Sequence, residues 1–354
     1  MATEKENASG ENSSFVTKEK IEEHHRSLHP GRGELTVSEL RDITRGWEAE
    51  LYSYVLEYEE AGRREREERV IRLFLGNYAT SKAEDEYKVI TRLFEAGFPA
   101  PELFHLETDA SYLGGPFIVM EYVRGRTLSE ALHSVSEDEA RSLMAEFTRI
   151  WVDLHRLDGA SLFPGEFLQG DTRDYMEESF ARAKARIEET NIGWLQPVID
   201  WLEEHAAGVT PVKLSILHQD YHTENVMQRE DGSLVVLDWT AARAGDYRAD
   251  LAWSMLLMST YDDPALRNII LESYEETSGV EVKDIEYFEV LAVGRRLIDV
   301  SSSFAVGAEQ AGLRAGALEL MKEASDHLNK VYKLLVEKTG LKLPEFESLL
   351  SRLE

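Results

Sequence analysis

Four polar residues lie beside two short apolar runs, and their types suit proton transfer and the holding of a hard cation. The stretch is Leu214 to Trp239, LSILHQDYHTENVMQREDGSLVVLDW. Its first apolar run, Leu214 to Leu217, is followed at once by His218, Asp220 and Asn225, and a second run, Leu234 to Leu237, delivers Asp238. Between the runs, Glu230-Asp231-Gly232-Ser233 has the composition of a turn, so the segment reads as a loop followed by a β-hairpin. The spacing is HxDxxxxN, then thirteen residues from Asn225 to Asp238. Such a set suits phosphoryl transfer: one Asp takes the proton of an attacking hydroxyl, while the Asn and the later Asp hold magnesium (Mg2+) against the phosphates of ATP. Asp and Asn are also common turn residues, but two fixed spacings beside apolar strands set this stretch apart. A metal-dependent hydrolase using His218, Asp220 and His222 is a competing chemistry. It is short of ligands, because His133, His155, His205 and His327 stand alone in the sequence.

Bulk composition narrows the setting. The 354 residues suffice for one large or two modest domains with a real core. A net charge of −28 repels nucleic-acid phosphates and anionic membrane surfaces, so neither is an expected partner. The absence of cysteine excludes disulfides and thiolate metal sites. The N-terminal MATEKENASGENSS lacks the apolar stretch of a signal peptide, and no run reaches transmembrane length. A cytoplasmic protein, monomeric or homodimeric, is the expectation.

The motif residues make the segment resemble the catalytic core of the aminoglycoside phosphotransferase and choline kinase-like family, small-molecule relatives of the protein kinases. The resemblance implies a bilobal, α+β protein kinase-like fold. Its N-lobe is an antiparallel sheet with one helix, and its mostly helical C-lobe carries the catalytic hairpin. It implies Asp220 as catalytic base, His218 as a structural residue of the catalytic loop, and Asn225 and Asp238 as metal ligands. ATP and Mg2+ follow as cofactors. The acceptor implied is a hydroxyl of a small molecule, aminoglycoside-, choline- or sugar-like. Asp250 resembles the carboxylate that, in kinase folds, bonds the catalytic-loop backbone, although an N-cap role also fits it. Gln219 departs from the protein-kinase Arg, and Asp238-Trp239-Thr240 replaces Asp-Phe-Gly. Only twelve residues lead from Asp238 to Asp250, too few for a protein-kinase activation segment, which points to a small acceptor. A nucleotide-binding regulatory protein without turnover is the alternative. Arg72 in place of Lys permits it; the intact Asp220, Asn225 and Asp238 oppose it.

Other elements must position these groups. Residues 1–14 read as a disordered tail, 15–122 as a nucleotide-binding N-lobe and 123–354 as a catalytic and acceptor-binding C-lobe. Phe15 to Leu28 can form a helix whose His24 and His25, with His29 beyond it, are expected to face solvent, since no second group of ligands accompanies them. Strands are expected from Leu35 to Leu75, with the charged run Glu57 to Arg69 as a solvated hairpin tip. The single-glycine turn Thr44-Arg45-Gly46-Trp47-Glu48 stands where kinases cover the phosphates. Arg72, in the apolar strand Val70 to Leu75, needs a partner, and Glu86 on the core-facing stripe of the next helix offers one. Such a pair would mirror the kinase Lys–Glu pair that positions phosphates. Ser81 and Glu84 are expected to cap that helix. The strand Phe117 to Val123 resembles the last N-lobe strand and hinge, where backbone groups of Glu121, Tyr122 and Val123 would hold adenine. Ser136 with Glu139 caps a helix to about Leu157, and Met176, Phe180, Ala183 and Ile187 form a core stripe. Many carboxylates favour a neutral or cationic acceptor, whereas Arg295 and Arg296 could line a site for an anionic one.

Overall fold

A long charged hairpin is the backbone of the N-terminal sheet. In this computed structural model, which describes residues 15–44, 49–76, 78–163, 170–307 and 325–353, β2 (Ala49–Glu60) pairs with β3 (Arg63–Phe74) in unbroken antiparallel register from Ala49↔Phe74 to Glu60↔Arg63. Ala61 and Gly62 link them with φ of 51° and 76°, the left-handed pair that a two-residue hairpin turn demands. Glu57↔Arg66, Glu59↔Arg64 and Glu60↔Arg63 face each other at the exposed tip, so charges that would repel in a random run attract across the strands. With β1 (Gly33–Asp42), β4 (Leu103–Glu107) and β5 (Phe117–Glu121), the five strands make one antiparallel sheet in the order β1-β2-β3-β5-β4.

Strand alternation then splits the sheet into two faces. Tyr54, Leu56, Tyr58, Ile71, Leu73, Phe117 and Val119 pack together with Val16 and Ile21, on the side of α1 (Lys18–Leu28). Val70, Phe74, Ile118 and Met120 pack with Ala79 and Ala83 of α2 (Ala79–Glu95) on the other. Two expectations fail in these helices. His24 and His25 are buried, not solvent-facing: His25 Nε2 meets the Tyr54 hydroxyl at 2.8 Å, and the His24 ring lies edge-on to Phe117 and Tyr112. An imidazole has an apolar body with polar tips, so a helix can turn it inward once the sheet supplies partners. The Ser81–Glu84 cap is absent too. α2 begins earlier, at Ala79, and the Ser81 hydroxyl donates back to the Tyr78 carbonyl. The 1–14 tail and all but Thr44 of the single-glycine turn lie outside the described residues.

Past β6 (Gly125–Thr127) the chain is mainly helical. α3 (Leu128–Leu132) is followed by α4 (Glu137–Arg156), whose N-terminus carries the full reciprocal box of Ser136 and Glu139. α5 (Gly159–Leu162), α6 (Thr172–Glu189) and α7 (Gln196–His205) come next. Met176, Phe180 and Ile187 of α6 are buried. Three short strands, β7 (Ser215–Leu217), β8 (Val226–Arg229) and β9 (Leu234–Val236), carry the polar motif, and β10 (Arg243–Gly245) returns to pair with β7. α8 (Tyr247–Tyr261), α9 (Leu266–Ser278) and α10 (Ile285–Val306) complete the core with helices at Ser325–Thr339 and Pro344–Leu353. Trp151, Tyr221 and Trp253 belong to this one core, while Ile90 and Leu93 of α2 pack into it as well and tie the two halves together. No helix among the described residues is long and apolar enough to cross a membrane.

Candidate active site

The loop after β7 is held from below by one carboxylate. Asp250, fully buried on α8, accepts hydrogen bonds from the backbone amides of His218, at 3.1 Å, and Gln219. The Trp151 indole (3.0 Å) and His155 Nε2 (3.1 Å) occupy the rest of its oxygens. Burial acts to raise the Asp250 proton affinity, but His155 and then Trp151 outweigh it and hold the carboxyl below its usual range. The N-cap of α8 is Asp246, one turn earlier, so Asp250 serves the loop. Gln219 is thereby bent to φ of 67°, a conformation that L-residues hold only where their surroundings fix it. His218 uses both ring nitrogens: Nε2–H donates to the Leu237 carbonyl (2.9 Å) and Nδ1 accepts from the Asp220 amide (3.2 Å). Burial pushes its proton affinity down. The imidazole is therefore a neutral brace between loop and hairpin, and the hydrolase reading loses its first ligand.

Asp220 sits above this brace with 35 % of its side chain open. Oδ1 accepts from the Trp253 indole at 3.0 Å, and Oδ2 accepts from Asn225 Nδ2 at 3.0 Å, with His222 Nε2 at 3.4 Å. Burial acts to raise Asp220, yet the His222 contact and charge, then the indole, more than offset it, so the carboxylate stays ionised well below its ordinary range. His222 moves the opposite way, raised by Asp220 against its burial. Asn225 is fixed at both ends: its side-chain amide also donates to the Asp220 carbonyl (2.9 Å), and its own carbonyl accepts from the Leu237 amide (2.8 Å). With Nδ2 committed, Asn225 Oδ1 has no hydrogen-bond partner among the described residues.

Asp238 ends the hairpin at φ of 63° with 39 % of its side chain open. Its Oδ1 accepts from Arg72 (2.7 Å) and Thr240 Oγ1 (3.1 Å), and its Oδ2 makes no hydrogen bond among the described residues. Arg72 also meets Glu86 Oε2 at 3.0 Å and Thr240 Oγ1 at 2.8 Å. Glu86 accepts from Thr240 Oγ1 (2.9 Å) and the Trp239 amide (3.3 Å), which links α2 to the hairpin end. Burial raises the Glu86 proton affinity, with Arg72 pulling against it. The Arg72–Glu86 pair expected from the sequence is thus present, but Arg72 bridges onward to Asp238.

The hinge differs in detail from its expectation. Glu121 gives its carboxylate to Arg229 (2.7 and 2.9 Å) and its amide to the Glu102 carbonyl (3.0 Å). The Tyr122 amide faces the Glu68 carbonyl at 3.4 Å, whereas Val123 makes no backbone hydrogen bond among the described residues.

Several neighbours of the site carry no spacing signal. His222 is an exception: two residues from Asp220, it enters the sequence reading only as a ligand of the competing hydrolase. Trp253 has no local trace, because the fold brings its side chain to Asp220 from 33 positions away, and Thr240 stands out only within the Asp238-Trp239-Thr240 departure. Arg295 lies over the Trp253 ring (3.8 Å) and donates to the Gln219 carbonyl and side-chain oxygen, whereas Arg296 is turned away, toward His327 and Tyr261. Arg243, largely buried against Tyr175, lines a cavity of about 190 Å³ with Lys88, Thr240 and Ile216. Its Nε has no hydrogen-bond partner among the described residues.

The chain is similar in fold to a thermostable mutant of aminoglycoside phosphotransferase APH(4)-Ia solved with ADP and hygromycin B, with 15 % identity, a TM-score of 0.59, and coverage of 91 % of this chain and 100 % of that one. It is likewise similar to LicA solved with AMP: 17 % identity, TM-score 0.58, 91 % and 98 % covered. Among curated proteins, acyl-CoA dehydrogenase family member 11 of Gallus gallus is 30 % identical over 181 residues, covering 49 % of this chain and 22 % of that protein. Family member 10 of Mus musculus is 25 % identical over 177 residues, covering 49 % and 16 %. The chain spans less than a quarter of the length of either relative. The model of the phosphotransferase enzyme family (APH) matches residues 39–284, more than half of the chain, across the sheet, the loop and the hairpin alike. This chain belongs to the phosphotransferase enzyme family.

Proposed function

We propose that the protein transfers the γ-phosphoryl group of ATP, with Mg2+, to a hydroxyl of a small molecule. The observation that carries this reading is that the Leu237–Asn225 backbone bond sets the hairpin end bearing Asp238 against the loop of the ionised, open Asp220, with Asn225 Oδ1 and Asp238 Oδ2 left without hydrogen-bond partners among the described residues. Oxygens of this kind suit Mg2+, which, when bound, neutralises charge on the phosphates. Asn225 and Asp238 are its ligands in this reading. Arg72, braced by Glu86, orients the phosphates, and the free backbone groups of Val123, beside Glu121 and Tyr122, take the adenine edge. Residues 15–122 then form the nucleotide-binding lobe and 123–354 the lobe that binds the acceptor. Asp220 accepts the hydroxyl proton, Trp253 and Asn225 keep its carboxylate aimed, and His218 supports the loop without touching the acceptor. β10 pairs with β7 immediately after the hairpin, so this segment closes the sheet and offers no peptide shelf.

The charge around Asp220 favours an acceptor that bears a carboxylate or phosphate. Arg295 flanks the loop, and Arg243 is a largely buried cation whose proton affinity is lowered by burial, then by Arg182 and Arg295, against the pull of Tyr175 and of Glu178, whose carboxylate lies 3.8 Å from the guanidinium. An anion there would satisfy the unpartnered Nε, a local argument that outweighs the diffuse charge of the whole surface. ADP release against hydroxylated acceptors of each charge type is expected to give the highest kcat/KM with anions. Arg243→Gln should raise the KM of those anions by about tenfold or more, the scale of one charge-assisted hydrogen bond. Turnover confined to cationic acceptors would refute the anion preference, and no ADP release with any acceptor would favour the regulatory alternative.

His222 supplies a pH test. Its cationic form stabilises the Asp220 carboxylate, so His222→Asn lets the carboxyl rise toward its ordinary range. The acidic limb of kcat/KM against pH is expected to move to higher pH. An unmoved limb would mean that Trp253 and Asn225 alone set the base.

A further inference from the structure

The sheet face opposite Arg72 holds a second group of potential ligands. β4 places His105 and Glu107 two residues apart and so on one side of the strand, where they meet the buried His24 from α1. Glu107 Oε2 is 3.1 Å from His24 Nε2 and 3.7 Å from His105 Nε2, and the three ligand atoms all lie within 4.8 Å of one another. A tetrahedral ion with bonds of about 2.0–2.1 Å would need its ligand atoms roughly 3.3 Å apart, so the observed set needs only small side-chain shifts.

We infer that His24, His105 and Glu107 form a site for a divalent transition cation, zinc in the first instance, that fastens α1 to the edge of the N-terminal sheet. Two imidazoles and one carboxylate select a borderline metal such as zinc, whereas Mg2+ and calcium prefer all-oxygen shells. The carboxylate is already oriented: its Oε1 accepts from the Asp109 amide at 2.8 Å, which leaves Oε2 facing both rings. A simple His24–Glu107 hydrogen bond does not account for the third member. His105 Nε2 points at the same oxygen from beyond hydrogen-bond range and has no hydrogen-bond partner among the described residues. Entry is open on that side, with His105 30 % and Glu107 16 % exposed while His24 is closed at 2 %. Water can fill the fourth position. The site shares no residue with the phosphotransfer machinery, so it stands whether or not that reading holds.

The test uses the full chain, stripped with chelator and kept in excess Mg2+. Calorimetric titration with zinc chloride is expected to show one equivalent bound, and cobalt(II) in its place should give the intense visible bands of a tetrahedral centre. His105→Ala and Glu107→Gln change partly exposed positions, so circular dichroism should confirm that both remain folded. Each is expected to weaken zinc by more than the roughly 10–100-fold that loss of an outer partner costs. Zinc should also raise the Tm of the wild type and not of the variants, because binding only the folded form stabilises it. No zinc uptake by the wild type would overturn the inference, as would undiminished uptake by folded His105→Ala, which would place the ion elsewhere, at His222 for example.

Discussion

Asp220→Asn is expected to lower turnover by about 10²- to 10⁴-fold, the range for loss of a general base, and to leave nucleotide affinity nearly unchanged. The substitution is almost isosteric. Its remaining oxygen can still accept from Trp253 or Asn225, and the side chain is partly open, so the loop should keep its shape. Asp238→Asn tests the opposite role. It removes a charged oxygen from the pair left for the cation and weakens the anchor of Arg72, which now sits 2.7 Å from Oδ1. Nucleotide binding should therefore lose much of its Mg2+ dependence along with turnover. Glu224 is a control, because its side chain is exposed and Glu224→Gln should be mild. Titration of ATP with and without Mg2+, alongside steady-state rates, separates the three variants. If Asp220→Asn abolished Mg-ATP binding while Asp238→Asn stayed active, the two roles assigned here would be reversed.

The largest loss of stability should come from Asp250→Ala. Four donors converge on this carboxylate: the amides of His218 and Gln219, the Trp151 indole and His155. Alanine leaves all of them without an acceptor in a closed space, and His155 also loses the charge facing it. Removing one partner of a buried charged network typically costs about 3–5 kcal/mol. Urea denaturation should show a loss of that size, and the refolded variant should lack activity because the Gln219 amide loses its acceptor and only Arg295 is left to hold the left-handed turn. A loss below about 1 kcal/mol would mean that water replaces the carboxylate and that the loop holds its own shape.

What the sequence revealed follows from the range over which its signals act. Asp220, Asn225 and Asp238 were visible because a loop and a hairpin fix their spacing locally. Arg72 and Glu86 could be paired because a cation inside an apolar strand demands a partner and a helical stripe offered one only fourteen positions on. The onward bridge from Arg72 to Asp238 spans 166 positions and has no local trace. His24 and His25 were misplaced for the same reason. Histidine is equally at home on a wet face or a buried one, and their partners, Glu107 and Tyr54, lie 83 and 29 positions away. The expected Ser81 cap failed because cap residues carry only a local preference, which the packing of Ala79 and Ala83 against the sheet overrode.

The same logic bears on which parts of this chain can vary. A helix with a solvent face accepts substitutions along that face at little cost, and the β2–β3 tip should accept even more, since its charges are exposed. α8 has no such face: Arg248 through Thr260, thirteen of its fifteen residues, are buried. It must fill the core, carry Asp250 under the loop and present Trp253 to Asp220 within four turns. Sequence drift in descendants of this protein will therefore be slowest in α8, a helix that supplies no ligand for the cation. The surface around Arg243 and α6 can meanwhile be reshaped toward new acceptors.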